Sequence, residues 1–369
     1  MLPVTIYVEA GFEMKKRTGA AFIGLSAACG TVWQQGLRLK LAQIFKCKKT
    51  LRMTGTRRFY ICLGDDTGKT FTLKNGVQQG SFMAPTLFNV YLREMPETKS
   101  LKFGYADDWA LLHQSKVLQK LETVLSTDLP TLKSYFDQWY LRQNTTKSSI
   151  WTTPQANQIL EDNIDNKPFQ HEPYPKYLGV TLDRTLTLQT HLSNVSKKLN
   201  SSTALIRKLA ATKWDANKSV LKVSVLALCY SGAVYCAPIW ERSADANSVD
   251  IQPRTAMRII SGALKVTQVQ WLPTVGAIAP PHLRRKAATS IMHQRIESMN
   301  ENIQLKKTVA HAPTTARLKS RWPSYNSEKQ FDISSAWLEY WKNNPPTGGD
   351  IIENYTVPFS GFHSATRRQ

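Results

Sequence analysis

The chain has 369 residues and a hydrophobic fraction of 42%, which argues against global disorder and leaves room for two or three structural units. Its 48 lysine and arginine residues against 27 acidic residues give a formal net charge of +21. A polyanion such as nucleic acid is therefore the leading class of partner, ahead of a basic surface with no specific partner. The five cysteines form no CxxC pair, which argues against a zinc site or a disulfide framework and favours reduced intracellular thiols.

The N-terminal segment has no basic region before its apolar run, and Glu9 follows too soon for a signal peptide. Residues 223–240 carry no charge over a length that could span a bilayer, but Gly232, Pro238 and two serines interrupt them. We therefore predict a buried helix that ends near Gly232, no membrane contact, and an intracellular location in the nucleus or the cytoplasm.

In the first half of the chain, the spacing of apolar residues and the turn signals predict strands mixed with helices. The expected strands span residues 18–23, 57–63, 70–73, 101–105, 109–113, 148–152 and 176–182, and the expected helices span residues 27–45, 85–92 and 118–141. We expect Pro130 to break or kink the last of these helices, and residues 156–171 to form a polar loop.

From about residue 187 the pattern is helical, and residues 196–222 carry seven basic side chains and one acidic side chain. Regularity fades after about residue 302, and prolines and glycines at 345–349 mark a turn. The chain is therefore predicted to fold as an α+β unit followed by a helical, basic unit.

Two acidic residues, Asp107 and Asp108, stand side by side at the predicted turn between strands 101–105 and 109–113. Adjacent carboxylates repel each other unless a cation lies between them, and Mg²⁺ prefers carboxylate oxygens. The pair is a candidate Mg²⁺–nucleotide site, and an exposed Asp-Asp turn without a ligand is the alternative.

A glycine-containing loop precedes this pair in residues 75–96, NGVQQGSFMAPTLFNVYLREMP. Gly76 and Gly80 allow close approach to the backbone, Gln79 offers an amide beside Gly80, and Pro85 opens a helix. Such a loop can receive a nucleic-acid backbone or an incoming base, whereas the plainer interpretation is a loop that leads into an amphipathic helix.

Together the two segments resemble the reverse transcriptases of non-LTR retrotransposons, and those of jockey-like insect and arthropod elements most closely. The family's loop, roughly NGVPQGSVLAPTLFN, corresponds to NGVQQGSFMAPTLFN here, and its YADD box stands at residues 105–108. Three further matches follow in order: NTTK at 144–147 resembles the family's NPTK, KYLGVTLD at 176–183 resembles its primer-gripping hairpin, and AMRIISG at 256–262 with WLP at 271–273 match the helical region beyond the thumb.

The resemblance implies an α+β, right-hand polymerase fold: a partial palm followed by a helical thumb. It implies RNA-directed DNA synthesis with two Mg²⁺ ions, and an RNA template, a DNA primer and a dNTP as partners. It assigns Asp107 and Asp108 as catalytic metal ligands. The substrate or nucleic-acid contacts that it implies are Gln79, Gly80, Tyr105, Lys147, Tyr177, Leu178 and Gly179. For Lys147, an ordinary solvated lysine is an equal alternative.

The expected domains are a palm with residual fingers and the primer-grip hairpin at 1–185, the helical basic thumb and following helices at 186–302, and an irregular tail at 303–369. Because the sequence opens close to the first catalytic strand, we expect most of the family's fingers region to be missing, as in an N-terminally truncated relative.

The chain departs from the family where the motif reads roughly FxDLSAAFDTVW, because residues 22–33 are FIGLSAACGTVW. Gly24 stands at the position of the metal-binding aspartate, Gly30 replaces a second aspartate, and Cys29 replaces the ring that excludes a 2′-hydroxyl. Loss of one preorganised electrostatic partner costs about 10²–10³ in rate. We therefore expect weakened Mg²⁺ binding and weak or absent polymerisation. The alternatives are a non-catalytic nucleic-acid-binding remnant of a mobile element and a pseudogene product without a role.

Overall fold

The computed structural model describes residues 1–26, 28–45, 51, 55, 57–78, 80–153, 163–164, 167–168, 171–211, 214–301, 303–310 and 331–344. The chain divides into two compact units. The first is Met14–Leu178, and the second combines Met1–Glu13 with Gly179–Gln369. The division lies seven residues before the boundary expected after residue 185, and the N-terminal helix groups with the second unit rather than the first.

The first unit is built on a four-stranded antiparallel sheet whose strands lie side by side in the order Leu101–Tyr105, Asp108–Ser115, Arg17–Leu25 and Gln143–Thr152. Its strands are β1 (Arg17–Leu25), β6 (Leu101–Tyr105), β7 (Asp108–Ser115) and β8 (Gln143–Thr152). β1 lies between two neighbours and is buried along almost its whole length, which is why its sequence, RTGAAFIGL, is a nearly continuous apolar run.

Helices cover this sheet: α2 (Ala28–Thr31), α3 (Gln34–Ile44), α4 (Ala84–Tyr91) and α5 (Leu118–Gln138). Their apolar sides form one core with the sheet, which includes Ile23, Leu37, Phe88, Leu111, Leu129 and Phe136. The buried Asp128 of α5 accepts hydrogen bonds from the backbone N–H groups of Lys99 (3.1 Å) and Ser100 (2.8 Å), which fixes the start of β6.

The described part of the first unit also contains short strands: β2 (Arg57–Phe59), β3 (Cys62–Leu63), β4 (Asp66–Thr67), β5 (Phe71–Leu73), β9 (Asn163–Ile164) and β10 (Lys167–Pro168). β2 pairs with β5 and β3 with β4, so the hairpin predicted between 57–63 and 70–73 is present. The helix predicted over 27–45 is wrong in one respect, because it is divided near Trp33. Of the break or kink expected at Pro130, the break is absent, since α5 continues through this residue.

The last strand of the first unit, β11 (Lys176–Tyr177), is followed by Leu178 and Gly179 with φ values of 46° and 78°. β12 (Val180–Thr181) follows these two residues. A turn therefore interrupts the strand predicted over 176–182. Most of the polar loop expected at 156–171 lies outside the described residues.

Apart from β12, the regular structure of the second unit is helical in its described part. Its longer helices are α1 (Leu2–Glu13), α6 (Gln189–Leu209), α7 (Lys218–Val225), α10 (Ile251–Ser261), α12 (Pro281–Glu297), α13 (Gln304–Ala310) and α14 (Ile333–Asn343). The short ones are α8 (Ser231–Val234), α9 (Ala237–Trp240) and α11 (Leu272–Gly276), with 3₁₀ turns at Ala244–Asp250 and Val269–Trp271. The expected mixture of helix and sheet is thus confirmed for the chain.

The uncharged segment 223–240 forms α7, a π-helical stretch at Leu226–Tyr230, α8 and α9, so the helical backbone continues two residues beyond the expected end at Gly232. In the part of the chain that the structure describes, no helix combines the length and the apolar character that crossing a membrane requires.

Candidate functional site

The two acidic residues lie at the tight turn between β6 and β7. Tyr105 pairs with Asp108 across the hairpin, so Ala106, with φ of 50°, and Asp107 form the turn itself. Both carboxylates are half-buried, whereas Tyr105 is 68% exposed. The predicted strand–turn–strand is therefore present, and it holds the two acidic residues at the end of the sheet where β6 turns into β7.

Position 24 lies opposite Asp108. In the register of the sheet, Gly24 of β1 is the Cα partner of Asp108 on one side and of Asn144 on the other. Directly opposed residues of an antiparallel pair project from the same face, so an aspartate at position 24 would stand beside Asp108. The backbone N–H of Leu25 donates to the carbonyl of Asp107 over 2.9 Å, which holds the end of β1 against the turn.

Lys147 occupies the space in front of Gly24. The pairing of β1 with β8 shifts between Phe22 and Gly24, and residues 145–148 bulge out of the ladder there. A Cβ atom added to Gly24 would lie 2.9 Å from Lys147 Cβ and 3.4 Å from Lys147 Cδ. This separation is below ordinary van der Waals contact, so β8 packs closely only because residue 24 has no side chain.

Side-chain hydrogen bonds stabilise this bulge. Asn144 Oδ1 accepts from the backbone N–H of Thr146 (3.1 Å) and from its hydroxyl (2.7 Å), and Ser148 Oγ donates to the carbonyl of Asn144 (2.8 Å). The NTTK segment is therefore a locally ordered turn that presents Lys147 at the candidate site.

Electrostatics link these side chains. Burial raises the pKa of Asp108 above its ordinary value, the charge of Asp107 raises it further, and the positive charge of Lys147 opposes both effects. Burial raises the pKa of the Cys29 thiol, and the charge of Asp107 adds to this shift. The structure thus brings Asp108 and Lys147 next to Gly24, with Asp107 at the adjoining turn, and the charge of Asp107 acts on the Cys29 thiol.

The glycine-containing loop joins the site through its backbone. The N–H of Gly76 donates to the carbonyl of Val32 (2.7 Å), and the N–H of Val77 donates to the carbonyl of Cys29 (2.8 Å). Gly76 has φ of 91°, and a Cβ there would lie 2.9 Å from the carbonyl oxygen of Gly30. Only glycine satisfies both constraints, so Gly76 fixes the loop against residues 22–33, the segment in which the sequence departs from the family motif.

The remaining predicted residues are distributed differently. Gly30 and Gly80 are exposed and a Cβ on either would meet open space, while Gln79 lies outside the described residues. Tyr177 is buried, and its hydroxyl donates to the carbonyl of Phe103 (3.0 Å) beneath the hairpin. Leu178 and Gly179 follow it as the turn residues described above.

Sequence reasoning missed a buried lysine in the first unit. Lys40 of α3 is 2% exposed, and its ammonium donates to the carbonyl of Tyr91 (2.6 Å) and to the hydroxyl of Tyr135 (2.9 Å). It also lies 3.7 Å from the ring centroid of Trp139. Its spacing of three residues from Leu37 on the apolar side of the helix was the available signal.

The side chains present do not fit a two-metal centre. Asp107 and Asp108 supply carboxylate oxygens, which suit Mg²⁺, but position 24 supplies none and Lys147 brings a positive charge nearby. Within the described ranges, no cluster of three or more histidine, cysteine, aspartate or glutamate side chains is arranged to hold a metal ion.

Comparison with known families and proteins finds similarities that span the first unit. Residues 7–182 match the model of the family "Reverse transcriptase (RNA-dependent DNA polymerase)". The chain is 27% identical over 276 residues to "RNA-directed DNA polymerase from mobile element jockey" of Drosophila melanogaster. The aligned region covers 70% of this chain and 30% of that protein. The chain is also 27% identical over 292 residues to "Probable RNA-directed DNA polymerase from transposon BS" of the same species, with the same coverage.

Among solved structures, a telomerase from Candida albicans in complex with a fragment of telomeric RNA matches 85% of this chain and 54% of that chain. Its TM-score is 0.29 and its identity is 9%, values too low to establish a shared fold. The chain spans about 30% of the length of the curated relatives. Residues 7–182 are nevertheless similar to the reverse-transcriptase family, and the chain is similar to the polymerases of jockey and other mobile elements, which confirms the resemblance of its motifs.

Proposed function

We propose that this chain is a reverse-transcriptase-like protein that binds nucleic acid but has weak or no capacity for RNA-directed DNA synthesis. One observation carries the proposal: the residue opposite Asp108 in the central strand is Gly24, and the space in front of it holds the stem of Lys147. In this proposal, the first unit is a partial palm and the helical unit that follows is a thumb.

The chemistry of nucleotidyl transfer is the reason for the expected loss. Two metal ions must stabilise both the attacking and the leaving oxygen, which requires ligands that hold the ions at a fixed separation. Asp107 and Asp108 both lie on one hairpin. Together they can bind a single Mg²⁺, with water completing its coordination shell. Without a carboxylate at position 24, that ion is held weakly and a second ion has no shared ligand.

The names of the relatives, which describe RNA-directed DNA polymerases, support an RNA template, a DNA primer and a dNTP as ancestral partners. In the proposed arrangement, Asp107 and Asp108 are the remaining metal ligands. The residues proposed to contact substrate or nucleic acid are Gln79, Gly80, Tyr105, Lys147, Tyr177, Leu178 and Gly179.

A primer-extension assay on poly(rA)–oligo(dT), with Mg²⁺ or Mn²⁺, tests the proposal. We expect the unaltered chain to extend the primer weakly at most, and any extension to disappear in a variant with both Asp107→Asn and Asp108→Asn. Gly24→Asp restores the charge at position 24, and Gly24→Asn is its matched control, because the two side chains have nearly the same size. Robust synthesis by the unaltered chain that disappears in the double asparagine variant would overturn the proposal.

A second candidate, a non-catalytic remnant kept for its basic surface, is favoured by α6. This helix carries four basic residues, Lys197, Lys198, Arg207 and Lys208, and no acidic residue, and all four are exposed. Such a surface attracts phosphates without any need for metal ions. Salt-dependent RNA or DNA binding with no extension by the unaltered chain would select this candidate over a weak polymerase.

A further inference from the structure

A ribbon of two antiparallel strands in the first unit exposes both of its faces. β2 pairs with β5 at its base, and β3 pairs with β4 at its outer end. Every residue from 58 to 72 is exposed, so no other described part of the chain covers the ribbon. An isolated two-stranded ribbon is only marginally stable in water, and a binding partner would stabilise it.

Two aromatic rings form a platform on this ribbon. Phe59 and Phe71 are direct cross-strand partners, with ring centroids 5.6 Å apart and ring planes 27° apart. The two residues are 46% and 51% exposed, and the neighbouring Tyr60 is 58% exposed. Single exposed apolar residues are common on protein surfaces, but a stacked and exposed aromatic pair is a typical surface for stacking another ring.

The charges around the platform indicate the class of partner. Arg58 precedes Phe59, Lys69 lies two residues before Phe71, and both are exposed. The acidic residues of the ribbon, Asp65 and Asp66, lie at its outer turn, away from the rings along the strands. Because successive side chains of a strand point to opposite faces, Arg58 projects from the face opposite the two rings, and Lys69, two residues from Phe71, is the cation that a phosphate beside the rings would meet. An exposed aromatic pair with a cation nearby matches a ligand with alternating rings and phosphates.

We propose that this ribbon binds single-stranded nucleic acid, with bases stacked on Phe59 and Phe71 and phosphates near Lys69. The inference rests on the proposed function, because it assigns one surface for the nucleic acid that the chain is proposed to bind. A single strand is favoured over a duplex because bases within a duplex already stack on one another and do not offer their faces.

Fluorescence anisotropy with labelled oligo(U), oligo(dT) and an oligo(dA)–oligo(dT) duplex, at one fixed salt concentration, tests the proposal on the full chain. The variants are Phe59→Ala and Phe71→Ala. The matched control is Leu63→Ala, which removes an apolar side chain, 83% exposed, from the same ribbon. Base stacking on an aromatic ring predicts that each phenylalanine variant loses about 5- to 150-fold in affinity for single strands.

The controls separate the possible outcomes. We expect Leu63→Ala to bind like the unaltered chain, Phe71→Tyr to retain affinity, and duplex binding to change little in any variant. The proposal is overturned by unchanged single-strand affinity in both alanine variants, by equal losses in Leu63→Ala, or by equal losses for the duplex. In each of these outcomes the unaltered chain still binds nucleic acid, so the proposed function survives. Failure of the unaltered chain to bind any of the three probes would overturn both.

Discussion

At the scale of single residues, the candidate site depends on the contact between Gly24 and Lys147. The Cβ of a residue at position 24 would lie 2.9 Å from Lys147 Cβ, and neither atom is at the free end of a flexible side chain. The absence of a side chain at position 24 therefore does more than remove a ligand. It allows the bulge of β8 to settle against β1, so an aspartate restored at this position must also displace Lys147.

We expect Gly24→Ala to destabilise the protein by about 1–3 kcal/mol, as overpacking does, in the background that contains Lys147. In a Lys147→Gly background the clash is absent, and the same change should be neutral or stabilising, because alanine reduces the entropy of the unfolded chain. Urea unfolding of the four proteins in a double-mutant cycle measures the coupling. Effects that add within about 0.5 kcal/mol would show that the contact has no energetic role.

Gly76 and Gly80 form a second residue-scale comparison, because both have positive φ, 91° and 84°, but only Gly76 faces neighbouring backbone. Gly80→Ala should cost about 1–2 kcal/mol from the left-handed conformation alone. Gly76→Ala should cost more, because its Cβ would also meet the carbonyl oxygens of Cys29 and Gly30 at 2.9–3.1 Å. Thermal unfolding of both variants measures the difference, and equal costs would show that the loop does not pack as described.

At the scale of secondary-structure elements, the sequence predicted what depends on local pattern and turn chemistry. β1, the hairpin β6–β7 and α4 follow from apolar runs, a two-residue turn and an early proline. The helix α1 was not predicted, because its sequence places buried residues on several sides, including Leu2, Val4, Thr5, Ile6 and Val8. The helices that cover those sides include α13 and α9, which lie hundreds of residues away in the chain.

The candidate site shows the same limit. The departures at Gly24, Cys29 and Gly30 were readable from the motif, because neighbouring residues fixed their alignment. The closeness of Lys147 to Gly24 was not, because it depends on a bulge whose position is set by the pairing of β8 with β1. Lys40 was missed because a lysine on the apolar side of a helix becomes buried only when aromatic residues of α4 and α5 enclose it.

The hydrogen bonds of the buried Tyr91 in α4 predict that the folded state loses stability at alkaline pH. The hydroxyl of Tyr91 donates to the carbonyl of Trp139 and accepts from the N–H of Trp33, and burial raises the pKa of Tyr91 to about 12. Below pH 10 the phenol is protonated in both states. Between about pH 10 and 12 the unfolded chain releases this proton and the folded chain retains it, so the folded state loses up to about 1.4 kcal/mol per pH unit.

Tyr91→Phe should remove this contribution. We expect the variant to be less stable by about 1 kcal/mol or more near neutral pH, since two backbone groups lose a partner, and its stability to fall less steeply above pH 10. Urea unfolding at several pH values measures both effects, with Tyr60→Phe as an exposed control. The same slope in Tyr91→Phe and in the unaltered chain would refute the assignment.

At the scale of the whole molecule, the net charge of +21 is the feature that both candidate functions share. If α6 contacts phosphates, the double variant Lys197→Gln/Lys198→Gln should bind nucleic acid more weakly and reduce the slope of log K against log salt by about 1–2. The control is Lys133→Gln/Lys306→Gln, which removes the same charge from lysines paired with Asp137 and Glu301, each at 2.7 Å. Equal effects in the two variants would mean that overall charge, and not this helix, governs binding.

Two neighbouring carboxylates facing a glycine are not expected to assemble a pair of metal ions. Titration of the full chain with Mn²⁺, followed by electron paramagnetic resonance, counts the ions that bind. We expect at most one weakly bound ion that depends on Asp107 and Asp108 and disappears when both are changed to asparagine. Two tightly bound ions per chain, both lost in that variant, would refute the proposed loss of the metal centre, because a ligand beyond these two carboxylates would then complete it.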